Sequence, residues 1–259
     1  ANYLPAVLEA FHSDVNLLLL TADRPERLRR TGSNQTTLQA GIFGEFVHSS
    51  IDTSSPIDLT HHLDQTGPVH INLQFDEPLL ESDNSDWLAG INPKKSSKTS
   101  HPKGTFDCTT RKNVVIVGHD RAGIDVREIE EFAAAIGAPI LGEDPLVFER
   151  SVSHAPIILS DERARNALTP ELVVVIGRTT LSRSVNAYVS GAAHVIVIDP
   201  RMEKIDLART ATEKHFEIPR VARKKERDER WFELWAKYES LAFQAVSELP
   251  EWSEGRALA

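Results

Sequence analysis

An arginine and two amide side chains follow closely on the end of an apolar run. Residues 17–25 read L-L-L-L-T-A-D-R-P, so Arg24 stands just past a stretch of strand length, and Asn34 and Gln35 come in a second turn that opens at Gly32. A guanidinium is a planar fork able to pair both oxygens of one carboxylate, and amides add neutral donors that fix orientation. Open α/β sheets bind ligands outside the carboxyl ends of their strands, where these three side chains are expected to lie. The same residues also fit a plain strand exit with a solvated arginine, and Asn34 fits an ordinary turn residue. Asp23 is expected to tie down the turn or pair with a neighbouring arginine. Arg27, Arg29 and Arg30, clustered on the same connection, read as solvated.

Other reactive side chains carry less. Gly118 to Gly123 reads G-H-D-R-A-G between an expected strand and an expected helix, the place of a dinucleotide fingerprint, but it lacks the G-x-G-x-x-G spacing. His61 and His62 are adjacent, and His70 sits mid-strand as a structural histidine, so the histidines form no metal set. The single cysteine, Cys108, excludes an intramolecular disulfide, fits a reducing cytoplasm and reads as inert. No H-E-x-x-H, C-x-x-C or G-x-S-x-G occurs, which removes zinc-protease, zinc-ribbon and serine-hydrolase readings.

The elements that must position these groups alternate in type. Leu4, Val7, Leu8 and Phe11 form a helical stripe over 4–12, and Val15 to Thr21 is a near-continuous apolar run, expected as a strand buried on both faces. A short helix is expected within Thr37 to Val47 and a strand over His48 to Asp52. Pro68 to Phe75 alternates Val69, Ile71, Leu73 and Phe75 against His70, Asn72 and Gln74, a strand by its period of two. Asp76 to Thr110 has the composition of a linker, with Lys94, Lys95, Lys98 and Lys103 expected on a solvated loop.

From Asn113 a second pattern begins. Strands are expected at Val114 to Val117, Pro139 to Leu141, Leu172 to Ile176, Val195 to Ile198 and His215 to Ile218. Asp125 with Glu128 reads as a capping box for a helix whose apolar stripe is Val126, Ile129, Ala133 and Ile136 and whose stop is Gly137. A polar crossover runs through Ala164 to Leu168, and Ser182 to Val189 is expected to be helical. Arg220 to Leu249 reads as one long helix whose stripe of Trp231, Trp235, Tyr238, Ala242 and Val246 must pack on this domain or on another. Alternating strands and helices predict βαβ units and a parallel, Rossmann-like sheet.

Composition sets the outer bounds. The chain has 259 residues, 41% of them hydrophobic and 26% charged, an ordinary soluble globular profile with room for one large domain or two smaller ones. A net charge of −9 argues against nucleic-acid binding or an anionic membrane surface. No apolar run approaches the length of a membrane span, and no signal peptide is seen, so a cytoplasmic protein is expected.

Three motifs together resemble one family. The A-D-R-P turn at Ala22 to Pro25, the G-S-N-Q turn at Gly32 to Gln35 and the strand G-P-V-H-I-N-L-Q-F-D-E-P-L at Gly67 to Leu79 are similar to those of the thiamine-diphosphate-dependent 2-succinyl-5-enolpyruvyl-6-hydroxy-3-cyclohexene-1-carboxylate (SEPHCHC) synthases of menaquinone biosynthesis, with Ser33 in place of the family's Ala. A fourth stretch, G-R-T-T-L-S-R-S-V at Gly177 to Val185, resembles the family's G-R-x-T-L-x-R-x-V turn.

The resemblance implies an α/β fold. Residues 1–80 would be the C-terminal half of a pyrimidine-binding domain and 81–110 a linker. Residues 111–219 would be a Rossmann-like, transhydrogenase domain III-like middle domain with no nucleotide of its own, and 220–259 a helix and linker toward a diphosphate-binding domain. In the family a full helix separates the last two strands of the first part; here only Thr53 to Thr66 is available, and within it Ile57 to Leu63 could supply about two turns at most. The resemblance also implies that Arg24, Asn34, Gln35 and Arg183 contact substrate, the first three holding carboxylates of 2-oxoglutarate-derived intermediates or isochorismate.

The full-length enzyme would use thiamine diphosphate and Mg²⁺ and form a homodimer or homotetramer. The activating glutamate is expected upstream of Ala1 and no G-D-G motif is present, so no catalytic, cofactor or metal residue is assigned in this chain, which is expected to be a central fragment and inactive alone. The alternatives are a standalone Rossmann-like nucleotide-binding module, or an oligomerisation piece built on the helix around Trp231.

Overall fold

The computed structural model describes residues 2–63, 66–77, 103–201, 209–250 and 252. Lys94, Lys95, Lys98, Pro78 and Leu79 lie outside the described residues. The chain forms two compact units, Ala1–Lys95 and Ser96–Ala259, which divide within the stretch of linker composition.

In the first unit, helix α1 (Leu4–His12) leads into strand β1 (Leu17–Asp23); strand β2 (Ser49–Thr53), the single turn α2 (Thr60–Leu63) and strand β3 (Pro68–Gln74) follow. The three strands are parallel in the order β1-β3-β2, so β3 is central. Val7 of α1 packs with Leu19, Phe43 and Val47 over one face. Strand β1 is not buried on both sides: Leu18 and Leu20, on the alternate face, are 41% and 58% exposed, because no described segment lies over them. The short helix expected within Thr37 to Val47 reduces to a single 3-10 turn at Gly44–Phe46. Gly41 and Gly44 there take φ of 69° and 54°, left-handed values that interrupt an α-helix.

The second unit contains β4 (Thr105–Phe106), β5 (Asn113–Val117), α3 (Val126–Ile136), β6 (Ile140–Gly142), α4 (Ala155–Ile158), α5 (Glu162–Ala167), β7 (Leu172–Ile176), α6 (Arg183–Ser190), β8 (His194–Ile198), β9 (Glu213–His215), β10 (Arg220–Val221) and α7 (Glu229–Ser247). Five strands form a parallel sheet in the order β6-β5-β7-β8-β9. The near-continuous apolar strands are explained by two covered faces. Val115, Val117, Val174 and Ile176 pack with Ile129, Phe132 and Ile136 of α3. Val114, Ile116, Val173 and Val175 pack with Tyr188 of α6 and Trp231 and Trp235 of α7.

Helix α3 starts at Asp125, whose carboxylate accepts from Arg127 N at 2.9 Å, and stops at Gly137 with φ 64°. Glu128 does not close the expected reciprocal box, since its carboxylate pairs with Lys103. The polar crossover at Ala164 to Leu168 falls largely within the short helix α5, and a second short helix, α4, precedes it. The long C-terminal helix begins at Glu229, not Arg220: Arg220–Val221 pair with β4, and Asp228 caps the helix by accepting from Trp231 N. The cationic run of Arg223, Lys224 and Lys225 is ill-suited to the positive end of a helix, while Asp228 suits it. With its two tryptophans 2% and 1% exposed, the α7 stripe is occupied within its own unit and unavailable as the oligomerisation face considered above. Among the described residues no helix is long and apolar enough to cross a membrane.

Candidate functional site

Parallel pairing sets Thr21 beside Asn72 and Asp52 beside Asn72, so polar residues from all three strands of the first unit share one face at their carboxyl ends. Asn72, on the central strand, is fully buried. Its amide nitrogen donates to Asp23 Oδ2 at 2.9 Å and to Asp52 Oδ1 at 2.8 Å. Its oxygen accepts from Thr21 Oγ1 at 2.8 Å and Gln39 Nε2 at 2.7 Å. Carboxylates only accept, so this amide can face one way only, and its hydrogen-bonding capacity is filled. Thr21 spends its proton on Asn72, so the contact of 2.8 Å with His70 is a donation from His70 Nε2. Burial pushes the His70 pKa down and keeps the ring neutral, a structural role.

Arg29 closes the network. Its guanidinium reaches Asp52 at 2.7 and 2.9 Å and Asp23 Oδ2 at 3.0 Å, and its Nε donates to the Arg24 carbonyl at 3.1 Å. The side chains of Arg29 and Asp23 are 13% and 3% exposed, so the expectation of a solvated Arg29 is corrected: the Asp23–Asp52 pair draws it in. The hydrogen bond from Arg29, then that from Asn72, holds the Asp52 carboxyl below the usual aspartate range, and the same bond to Asp52 raises the Arg29 pKa. Arg27 behaves as expected, in an exposed pair with Asp76.

Arg24 is held differently. Its backbone N–H donates to Asp23 Oδ1 at 2.8 Å, and its Nη2 donates to Asn34 Oδ1 at 3.0 Å. Among the described residues it pairs with no carboxylate, so its charge faces a neutral amide alone. The structure thus brings Arg24 and Asn34 together. Gln35 follows in the same turn with φ 57°, a left-handed value like that of Gly32 at 81°. Arg183 belongs to the second unit, as the exposed first residue of α6 behind its cap Ser182.

Sequence alone does not mark Asn72, Gln39, Asp52 and Arg29 as site residues. The one signal in the sequence is the polar alternation at His70, Asn72 and Gln74, which a central strand must satisfy from both neighbours and which points to Asn72.

In the second unit the strand order reverses between β5 and β7, where doubly wound sheets hold nucleotides. Here the loops beyond the two strands touch: Arg178 N donates to Asp120 O at 2.9 Å, and a Cβ on Gly118 would sit 1.6 Å from Arg178 O. Arg201 bridges Asp120 and the fully buried Asp199 at 2.6 and 2.8 Å. Burial pushes the Asp120 carboxyl up, yet the bonds from Arg201 and Ala122 N outweigh it and the net shift is downward. The two loops are thus tied together by the protein's own charges, and a cavity of about 550 Å³ lies beside them, lined by His119, Asp120, Arg121, Gly123, Ile124, Asp125 and Val126. Cys108 is buried and accepts from Asn113 Nδ2 at 3.3 Å, in keeping with an inert thiol.

Among the described residues no three His, Cys, Asp or Glu side chains gather as a metal site. The sequence carries no G-D-G motif, so the residues present do not fit a diphosphate and Mg²⁺ site.

No family model matches the chain. Curated proteins named 2-succinyl-5-enolpyruvyl-6-hydroxy-3-cyclohexene-1-carboxylate synthase do. That of a Nocardioides species is 37% identical over 211 residues, covering 80% of this chain and 35% of the relative. That of Thermobifida fusca is 32% identical over 241 residues, covering 82% and 43%. That of Geobacillus thermodenitrificans is 26% identical over 305 aligned positions, covering 99% and 52%. The chain spans about a third to a half of the length of the curated relatives it matches.

Proposed function

We propose, on the premise that this chain is homologous to part of a SEPHCHC synthase, that its first unit supplies one wall of a substrate pocket in that enzyme. In this reading the complete protein decarboxylates 2-oxoglutarate and adds the resulting four-carbon carbanion to isochorismate, with thiamine diphosphate supplying the electron sink. Arg24, Asn34 and Gln35 hold substrate carboxylates, and Arg183 is assigned to substrate binding on the resemblance alone. The observation that carries the reading is the Arg24 guanidinium, oriented by the Asn34 amide at 3.0 Å with no acidic partner among the described residues. A charge kept available in that way is suited to an anionic ligand, and both substrates are dicarboxylates.

Residues 1–80 act here as the second half of a pyrimidine-binding domain, and 111–219 as a Rossmann-like middle domain without a nucleotide. Mg²⁺, assembly as a homodimer or homotetramer and a cytoplasmic location belong to the same reading and rest on the resemblance. The test is Arg24→Ala in the complete protein, assayed for synthase turnover. Loss of a charge-assisted, bidentate contact is expected to lower kcat/KM by about 10²-fold, and Arg24→Lys, lacking the fork, should recover only part of it. A kcat/KM within twofold of the parent removes Arg24 from the site.

A further inference from the structure

Arg29 is joined by one hydrogen bond to the residue proposed to meet the substrate. Its Nε donates to the Arg24 carbonyl at 3.1 Å, while its two terminal nitrogens are committed to Asp23 and Asp52. Asp23 in turn accepts the Arg24 N–H at 2.8 Å. The backbone of Arg24 is therefore gripped at both its N–H and its C=O by two members of one ion pair. The turn is braced further along as well, where Gln74 Oε1 accepts Glu26 N at 3.0 Å and Gln74 Nε2 donates to Asp52 at 3.0 Å.

Charge matters as much as geometry. Asp23 adjoins Arg24 in the chain and accepts its N–H, and Asn72 and Arg29 hold Asp52 beside Asp23. Arg29 occupies both, so Arg24 is left with the Asn34 amide. We propose that Arg29 is a positioning residue: by bridging Asp23 and Asp52 and bonding the Arg24 carbonyl, it aims the Arg24 guanidinium outward and keeps the neighbouring acids from neutralising it. The proposal rests on the reading of Arg24 as the carboxylate-binding group. A lysine cannot reproduce the role, since one ammonium cannot present a planar fork to two carboxylates and a third donor to a carbonyl.

The experiment measures steady-state kinetics of the complete enzyme carrying Arg29→Lys or Asp52→Asn, each alone and combined with Arg24→Ala. Misaiming of a binding group by about an ångström lowers rates by up to 10²-fold. In the parent background either substitution should raise KM for a dicarboxylate substrate about tenfold or more, with a smaller change in kcat. In the Arg24→Ala background the same substitution should change kcat/KM by less than twofold, because its effect passes through Arg24. Equal losses in both backgrounds, or a parent-like KM in an Arg29→Lys enzyme when Arg24→Ala is impaired, overturn the positioning role and leave the function standing. An Arg24→Ala enzyme with parent kinetics overturns both. Either substitution suffices, so a variant that does not fold leaves the other to decide.

Discussion

Replacing Asn72 by alanine removes the hub of the polar network in the first unit. The side chain is fully buried and joins four partners: Asp23, Asp52, Thr21 and Gln39. Two of the lost bonds go to carboxylates, each worth about 1.5–3 kcal/mol, although Arg29 keeps its hold on both acids and the losses do not add in full. The Thr21 hydroxyl loses its acceptor, while Gln39 retains the Ala22 carbonyl at 2.8 Å. A net loss of about 3 kcal/mol follows, more than a hundredfold in the local opening equilibrium.

Because the chain forms two units, a global melt would mix their transitions; hydrogen exchange of the β1 and β3 amides, resolved by mass spectrometry and corrected for intrinsic rates, reports the first unit alone. The pH dependence supplies a second reading. The folded Asp52 pKa lies below its unfolded value of about 3.9, so its contribution is fully present above about pH 4 and fades as pH falls through the folded pKa. Asn72→Ala removes the second-ranked hydrogen bond behind that shift, so the folded pKa should rise and the acid-side loss of protection become shallower. Less than a threefold drop in protection at pH 7, or an unchanged acid profile, refutes the hub.

Two further outcomes concern the second unit. Gly118→Ala places a Cβ 1.6 Å from Arg178 O and 2.7 Å from Arg178 C, backbone atoms that must retreat together with the bond from Arg178 N to Asp120 O. A loss of about 2–3 kcal/mol is expected in urea unfolding followed by tryptophan fluorescence, and less than about 0.5 kcal/mol contradicts the close approach. Trp231 Nε1 donates to Asn113 O at 2.9 Å, whereas the buried Nε1 of Trp235 has no partner among the described residues. Trp231→Phe should therefore be more destabilising than Trp235→Phe by about 1 kcal/mol or more in the same assay, and equal losses would contradict the assigned bond.

Much of the fold was legible because it depends on local periodicity. The runs at Asn113–Val117 and Leu172–Ile176 could only be strands covered on both faces, and Asp125 and Gly137 mark the ends of α3 by rules acting within one turn. Where a boundary depended on a distant partner, sequence failed. The strand at Arg220–Val221 exists because β4, over a hundred positions earlier, pairs with it, so the C-terminal helix starts later than its charged run implies.

The candidate site divides in the same way. Arg24 and Asn34 were marked by residue type and by their place after a strand, and the contact between them spans only ten positions. Arg29 looked like a third loop arginine. Its burial is set by Asp23, six residues before it, and by Asp52, 23 positions beyond, brought beside Asp23 by Asn72 on the strand between them. By itself the sequence determined the kinship, the parallel α/β plan and a guanidinium beyond the end of β1. Tertiary structure alone decided which arginine is consumed by acids and which is left with a neutral amide. Charge pairing is a property of neighbours in space, and the order of strands in a sheet cannot be read from any one of them.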